Sequence, residues 1–262
     1  MGLRAKPAVT AEERIAALAS LVRHYDPSQL VFQVAEIAGE RTYLRHGLEV
    51  GEDSVVLDVG ANVGVAAAFF AAQCGACRVH CFEPVAALCD LLRQNVGPLP
   101  ACVVHEYGFS SAGGRAPITY YPRAAAMSGL YADPERDREL TRTVLLGAGL
   151  SDEETEERLQ GLYEIQELTC DLRTVSWFLR ESRIDRVDLL KIDVERAELD
   201  VLAGIEEPDW AKIEQVAIEV HDEQERCAHI ARELSRREFR VTIDQDAAMH
   251  GTSIRMLYAT RH

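Results

Sequence analysis

The stretch Val55-Val-Leu-Asp-Val-Gly-Ala-Asn-Val-Gly64 decides the fold of this chain. Its first five residues form a short apolar run that ends at a glycine, which predicts a buried strand of a parallel sheet. Residues 65–73 are rich in alanine and predict a helix directly after the turn. Gly60 allows a sharp turn and the approach of a ligand to the backbone, and Gly64 allows the helix to pack closely on the strand. A strand, a glycine-containing turn and a helix in this order predict a binding site for a nucleotide-like ligand.

Strands and helices alternate along most of the remaining sequence, which predicts an α/β fold with a mostly parallel, doubly wound sheet. The later predicted strands cover residues 78–82, 101–105, 187–192, 216–220, 239–243 and 254–259, and the last two form an antiparallel closing pair. The predicted helices cover residues 9–24, 65–73, 86–95, 175–181, the residues after 195, and 229–237. Helices are therefore expected on both faces of the sheet.

The alternation of strands and helices along the sequence is interrupted once, and this interruption marks an insertion within one predicted domain. Residues 1–50 form an N-terminal helical segment, and residues 51–262 form one Rossmann-like domain. Within that domain, residues of about 123–168 are charged and helix-prone, with a good helix cap at Ser151. We expect this insertion to form a helical cap over the core.

Composition excludes several classes of function. The net charge is −15, which disfavours a nucleic-acid binder because contact with phosphates needs a basic surface. No apolar run approaches the roughly 20 residues of a membrane span, and no signal peptide is visible, so we expect a cytoplasmic protein without membrane contact. The seven cysteines are odd in number and lie mostly in apolar runs, which predicts reduced thiols rather than disulfides or a zinc site at Cys74 and Cys77.

Two residues distinguish the turn from a dinucleotide site. Asn62 stands where the pattern G-x-G-x-x-G has its second glycine. Glu83 ends the next strand, about 20 residues on, where a carboxylate binds a pair of ribose hydroxyls. The helix N-terminus favours a carboxylate, and Asp58 can accept from an amino group, directly or through water. These features predict S-adenosylmethionine (SAM) as the cofactor and the class I methyltransferase variant of the Rossmann-like fold.

The adenine ring of SAM is expected at the tip of the third strand, although Tyr107 could equally be a core residue. The predicted cofactor contacts are Asp58, Gly60, Asn62, Gly64, Glu83, Pro84, Glu106, Tyr107, Gly108 and Asp193.

The segment Asp188-Leu-Leu-Lys-Ile-Asp-Val-Glu-Arg-Ala-Glu-Leu-Asp-Val-Leu-Ala-Gly204 resembles the hallmark segment of the FkbM family of methyltransferases. The opening turn, Cys81-Phe-Glu-Pro84 and Ile218-Glu-Val-His-Asp222 match that family in order and spacing, so the resemblance covers residues of about 40–260. It implies a SAM-dependent methyltransferase. The family usually has glycine where this chain has Arg196, which places a long cation beside the predicted active site.

A narrower resemblance concerns the acceptor. Met127-Ser-Gly-Leu-Tyr-Ala-Asp-Pro134, with Gln245-Asp246 and Gly251-Thr252, resembles the FkbM-type O-methyltransferase domains of polyketide synthase and nonribosomal peptide assembly lines. That resemblance implies methylation of a hydroxyl or enol on an acyl chain tethered to a carrier protein, in secondary metabolism. A free sugar or other small molecule is the alternative acceptor, and a binding domain of the same fold without catalysis is the other alternative.

An alcohol acceptor needs a general base, which contributes on the order of 10² to 10⁴ in rate. His221 is the predicted base because it titrates near neutrality and lies at a strand tip, where Glu219 points to the same face. Glu219 or Glu195 would orient the ring, and Asp193 would contact the methyl-donor region or the base. A hydrogen bond from His221 to a loop carbonyl is the alternative role.

Two further predictions concern metal and acceptor. Asp193, Glu219 and Asp222 could hold a divalent cation, but the resemblance does not point to one, so no metal is predicted. Arg196 and the cap residues Met127 and Tyr131 are predicted to contact the acceptor, although cap residues could equally serve packing alone. The oligomeric state is not predicted.

Overall fold

The computed structural model describes residues 10–74 and 76–261, so residues 1–9 of the predicted N-terminal segment lie outside the described residues. The described strands are β1 (Val55–Val59), β2 (Arg78–Phe82), β3 (Cys102–His105), β4 (Gly108–Phe109), β5 (Gly114–Tyr120), β6 (Gln166–Arg173), β7 (Leu189–Ile192), β8 (Gln215–His221), β9 (Arg240–Asp244) and β10 (Ile254–Thr260). The described α-helices are α1 (Ala11–Leu21), α2 (Pro27–Val34), α3 (Val65–Gln73), α4 (Ala86–Val96), α5 (Pro134–Gly147), α6 (Asp152–Leu159), α7 (Val175–Glu181), α8 (Glu198–Ala203) and α9 (Arg226–Ser235).

The main sheet has seven strands in the order β3-β2-β1-β7-β8-β10-β9. Strands β3, β2, β1, β7 and β8 are parallel, and β10 runs antiparallel to both β8 and β9. This order, with one antiparallel strand inserted near the end, confirms the class I methyltransferase fold. The order reverses between β1 and β7, and a ligand crevice forms at such a reversal, outside the carboxyl ends of the strands.

Apolar side chains fill both faces of the sheet because alternate residues of each buried strand point to opposite sides. Val56 and Val79 pack on one face in a cluster with residues of α1, α2, α3 and α4. Leu57 and Ile192 pack on the other face with residues of α7, α8 and α9. The sheet therefore lies between two helical layers, as the alternation predicts.

The insertion differs from the predicted all-helical cap. It contains α5 and α6, but β6 begins at Gln166 and pairs with β4 and β5 in a second, three-stranded sheet. The prediction missed β6 because most of its residues are polar and only Cys170 and Leu172 are buried. The antiparallel partner of β6 is β5.

The described part of the N-terminal segment packs on the same face as α3. Thr10 and Glu13 form a reciprocal capping box at the start of α1. A π-helical turn (Ala35–Gly39) and a 3₁₀ turn (Thr42–Leu44) then carry the chain to the carboxyl end of the sheet. This segment thereby reaches the crevice.

The prediction of reduced thiols was wrong for one pair of cysteines. Cys74 and Cys77, at the end of α3, form a disulfide, with Cα atoms 5.7 Å apart, a separation that suits such a bond. Cys81, Cys89, Cys102, Cys170 and Cys227 are free. Among the described residues, no helix is both long and apolar enough to cross a membrane.

Candidate active site

A cavity of about 690 Å³ opens at the carboxyl ends of the central strands, below the cap. Its size lies within the usual range for small-molecule sites. The predicted site residues that line it are Gly60, Asn62, Glu83, Pro84, Gly108, Met127, Asp193, Glu195 and Glu219. The predicted residues that do not line it are Asp58, Gly64, Glu106, Tyr107, Tyr131, Arg196 and His221.

The turn after β1 has three residues in the left-handed region, at Gly60 (φ 78°), Asn62 (φ 48°) and Gly64 (φ 91°). A Cβ on Gly60 would lie 1.7 Å from the carbonyl oxygen of Asp193, so this position needs glycine for packing as well as for its φ. A Cβ on Gly64 would lie 2.7 Å from Leu92, so Gly64 serves contact with α4 rather than with the strand.

Glu83 lies on the cavity wall beside this turn. Its two oxygens accept hydrogen bonds from the backbone N–H groups of Asn62 and Val85, both at 2.9 Å. Each oxygen keeps a second lone pair for a ligand hydroxyl. Burial raises the pKa of Glu83 to about 7, although those N–H groups lower it.

Asp58 does not reach the cavity. It is 0% exposed, and its Oδ1 lies 2.9 Å from the Nζ of Lys191. Lys191 also donates to the carbonyl oxygen of Gly60 at 2.7 Å and lies 3.6 Å from Asp193. The predicted direct contact of Asp58 with the cofactor amino group is therefore not in place, and Asp58 instead forms an ion pair that holds the turn. The sequence contains one indication of this ion pair, a lysine inside the apolar run Leu189–Ile192, because lysine is rarely fully buried unless it is paired.

The predicted adenine contacts are only partly in place. Gly108 lines the cavity, but Glu106 forms a half-exposed ion pair with Arg93 at 2.6 Å. The ring of Tyr107 packs against Phe82 and Trp177. Tyr107 thus takes the core role that was its alternative, and Glu106 turns away from the site because an arginine partner lies nearby.

His221 lies behind the cavity wall. It is 1% exposed, and its Nε2 lies 2.8 Å from Oε2 of Glu195. Glu195 and Glu219 line the cavity in front of the ring, and one donor atom from each of these three residues lies within 4.8 Å of the other two. The structure brings these three residues together, but it gives His221 no direct access to the cavity.

The electrostatics of this cluster follow from burial and crowding. Burial raises the pKa of Glu219 well above its ordinary value, and the charge of Asp193 adds to the rise. Burial also raises the pKa of Glu195, and His221 partly offsets this. Burial lowers the pKa of His221, but the Glu195 carboxylate raises it by more, so the net pKa is raised.

Two residues of the N-terminal segment complete the site, and the sequence analysis missed both. The Tyr43 hydroxyl donates to Oδ2 of Asp193 at 2.7 Å. Glu36 lines the same cavity, and burial together with the charge of Asp193 raises its pKa to about 8. Neither residue lies in a recognisable motif, and only the fold brings them to the strand ends.

The remaining predicted acceptor and metal residues have other partners. Tyr131 is 54% exposed and donates to Asp200 at 2.6 Å. Arg196 pairs with buried Asp137 of α5 at 2.7 Å. Oδ1 of Asp222 accepts the N–H of Cys227 at the start of α9, at 2.9 Å, rather than joining the predicted metal ligands.

Comparison with known proteins places these features in a family. A profile described as "Methyltransferase FkbM domain" matches residues 58–241. The "31-O-demethyl-FK506 methyltransferase FkbM" of Streptomyces tacrolimicus is 36% identical over 242 residues, which cover 92% of this chain and 93% of that protein. The "AMB antimetabolite synthetase AmbE" of Pseudomonas aeruginosa is also 36% identical, over 248 residues; the match covers 89% of this chain but only 12% of AmbE.

Among solved structures, a SAM-dependent O-methyltransferase from Thermotoga maritima matches with a TM-score of 0.45 and 12% identity, over 96% of this chain and 71% of that chain. A likeness of this size carries no argument about function, and the fold assignment rests on the strand order.

Proposed function

Because the chain belongs to the FkbM family of SAM-dependent methyltransferases, we propose that it is an O-methyltransferase whose acceptor is a hydroxyl or enol of a polyketide- or peptide-type intermediate tethered to a carrier protein. The observation that carries this proposal is the cluster of Glu195, Glu219 and His221 at the inner end of the cavity. An oxygen acceptor must lose its proton, and this cluster supplies proton-accepting groups at that place.

The cavity residues fit SAM. Glu83 offers lone pairs to two ribose hydroxyls, and Pro84, Leu88, Phe109, Ile118 and Leu172 supply an apolar wall for a flat ring. The N-terminus of α3 favours the carboxylate of the methionine part. Bound SAM supplies a methyl group on a sulfonium, and its transfer is an in-line displacement that depends mainly on positioning.

The role of Glu83 gives a prediction for SAM binding. Glu83→Gln should weaken SAM binding about tenfold or more, because a charged acceptor of two hydroxyl hydrogen bonds is lost. Isothermal titration calorimetry measures this change. Glu106→Gln is the matched control, since its carboxylate pairs with Arg93 outside the cavity and SAM affinity should stay unchanged. An equal loss in both variants would contradict the assignment of Glu83 to the ribose.

The same residue predicts how SAM binding depends on pH. The pKa of Glu83 is about 7 in the free protein, and hydroxyl donors favour the ionised form in the complex. Binding below that pH therefore releases a proton, and affinity should fall by up to about tenfold per pH unit below pH 7 and level off above it. In Glu83→Gln the fall should disappear. A fall of equal slope in that variant would assign the titration to another group.

Glu195 is the group best placed to take the proton of the acceptor. It lines the cavity, whereas His221 contacts it from behind at 2.8 Å and holds its orientation. This arrangement inverts the predicted order, in which the histidine was the base and the glutamate its support. His221 is therefore a positioning residue in the proposed reaction.

The lining of the cavity supports an acyl chain over a sugar. The cap and α2 contribute apolar side chains, including Phe32, Leu130, Leu140, Val144 and Leu145. Gln33, Thr141 and Tyr163 also line the cavity, so the support for an acyl chain comes from the apolar residues alone. Arg123 and Arg158 also line the cavity and suit the phosphate of a carrier-protein arm.

The acceptor is tested by methylation assays with SAM and three acceptors. We expect turnover of carrier-tethered 3-hydroxyacyl or 3-ketoacyl chains, weaker turnover of the matching free thioester, and none of free sugars. Turnover of a sugar but not of a tethered chain would overturn the proposal in favour of the alternative acceptor. Failure to bind SAM in the calorimeter would favour a binding domain without catalysis.

A tether also predicts a selective effect of Arg158. Arg158→Ala should raise KM for the carrier-tethered acceptor about fivefold, the effect of losing an exposed ion pair worth about 1 kcal/mol. KM for the free thioester should not change. Arg142→Ala, which removes an arginine paired with Asp152 at 2.5 Å, is the control on the same cap. Equal KM changes for both acceptors would contradict a contact with the phosphate of the tether.

A further inference from the structure

We propose that Glu195, Glu219 and His221 form a binding site for a divalent cation of the Mn²⁺ or Mg²⁺ type. The three residues offer two carboxylate oxygens and one imidazole nitrogen, all within 4.8 Å of one another. Mixed carboxylate and imidazole ligands of this kind suit a first-row divalent ion such as Mn²⁺. The inference deepens the proposed function because it concerns the same end of the cavity.

The ligand spacing supports one shared ion. Two ligands at right angles around an ion with bonds of about 2.1 Å lie about 3 Å apart, and ligands on opposite sides lie about 4.2 Å apart. Glu195 Oε2 and His221 Nε2 are separated by 2.8 Å, and all three donor atoms fall within 4.8 Å. Only small shifts of the side chains would bring the three donors around one centre.

A buried imidazole nitrogen without a hydrogen bond is a second observation. Among the described residues, Nδ1 of His221 makes no hydrogen bond, although the ring is 1% exposed. Nε2 of the same ring meets Oε2 of Glu195 at 2.8 Å. Buried polar atoms are normally satisfied, so a ring nitrogen without a partner beside two carboxylates needs an explanation. A cation held by the ring and the two carboxylates would give these groups a common partner.

The charge balance of the site favours a cation. Glu36 and Asp193 face the same cavity as Glu195 and Glu219. Most nearby basic side chains pair outside this group: Arg196 pairs with Asp137 and Arg45 with Asp246. Lys191 pairs with Asp58 at 2.9 Å and lies 3.6 Å from Asp193, so a single cation is shared between them. The charges of Glu36, Asp193 and Glu195 all act on Glu219, and bringing a divalent ion among these four carboxyl groups would reduce their mutual repulsion.

A cation here would act on the acceptor. The two glutamates of the site line the cavity, so an acceptor oxygen can approach an ion held between them. A divalent ion stabilises the ionised form of a hydroxyl or enol placed against it and fixes its orientation. Glu195 would then bind the ion through one oxygen, and its other oxygen would accept the proton that the acceptor loses as the ion favours its ionisation.

The test measures Mn²⁺ binding by electron paramagnetic resonance in protein freed of metal, without SAM or acceptor. We expect one Mn²⁺ per chain, and at least a tenfold loss of affinity in Glu219→Gln and Glu195→Gln. Glu233→Gln, at an acid on α9 that pairs with Arg236 away from the cavity, is the control and should bind normally. No binding to the wild-type protein, or unchanged affinity in both site variants, would overturn the site.

A second measurement needs no variant. With ¹⁵N-labelled histidine, the Mn²⁺ signal should show coupling to one directly bound nitrogen. Binding without that coupling would overturn the proposed ligand set. Assays of tethered hydroxyacyl chains then separate the two proposals. Methylation by protein that binds no Mn²⁺ would refute the cation site alone, whereas Mn²⁺ binding without methylation of any hydroxyl would support the site and count against the proposed function.

Discussion

Glu195→Gln is expected to lower kcat for an alcohol acceptor at least about 100-fold and to leave SAM affinity within about twofold. Glutamine keeps the size of the side chain but neither takes a proton at neutral pH nor binds a cation as a carboxylate does. Glu195 lines the acceptor end of the cavity, whereas the SAM wall is formed around Glu83. Single-turnover kinetics and calorimetry with SAM measure the two quantities. Near-normal turnover would place proton removal elsewhere, at Glu219 or Asp193.

His221 should affect turnover through Glu195. The charge of His221 lowers the pKa of Glu195, so His221→Asn should raise that pKa. A base must be unprotonated, and the rising limb of kcat/KM should therefore move to higher pH in His221→Asn. The double variant with Glu195→Gln should be little slower than Glu195→Gln alone, because the two residues act as a unit. Additive losses with an unmoved pH profile would contradict this coupling.

The sequence predicts the main sheet well because its strands carry continuous apolar runs. Val55–Val59 and Leu189–Ile192 are buried on both faces, so their pattern is visible without any tertiary information. Gln166–Arg173 packs on one side only and places polar residues on the other, so it resembles the charged segment before it. Local composition alone cannot separate such a strand from an exposed helix.

The residues of the site also fall into two groups, those that a local sequence pattern predicts and those that only the fold brings to the cavity. Gly60 and Glu83 belong to a local strand–turn–helix pattern, and their positions at the cavity follow from it. Glu36 and Tyr43 reach the cavity only because α1 and α2 pack beside α3, which no local pattern specifies. His221 was placed at the right strand end, but which of two adjacent ionisable groups faces the acceptor depends on side-chain packing.

Arg196 has a partner, Asp137, that no local sequence pattern predicts. Replacement of Arg196 gives the second large expected effect. Arg196 lies in the left-handed region (φ 75°), where a side chain costs about 1 kcal/mol or more. Its guanidinium is almost fully buried and pairs with Asp137, which is 0% exposed. The ion pair joins the turn after β7 to the cap helix α5.

Arg196→Gly is expected to destabilise the protein by at least about 2 kcal/mol, even though glycine relieves the backbone. Asp137 would stay buried with hydrogen bonds from the Tyr121 hydroxyl and the Asp133 N–H but without its cation. Leaving one charge of a buried pair costs about 3–5 kcal/mol, which exceeds the strain released. Urea unfolding measures the change in the free energy of unfolding. The rate of amide hydrogen exchange should increase most in α5.

The double variant Arg196→Gly with Asp137→Asn separates lost charge pairing from lost packing. Removing both charges should recover part of the lost stability because no unpaired buried charge remains, and the part that is not recovered measures the packing lost with the arginine side chain. Arg142→Ala, at an exposed ion pair of the same helix, should change stability by less than about 0.5 kcal/mol. If Arg196→Gly alone matched the wild type, the pair would not hold the cap. Since Leu140 and Val144 of α5 line the cavity, a loosened cap should also raise KM for the acceptor.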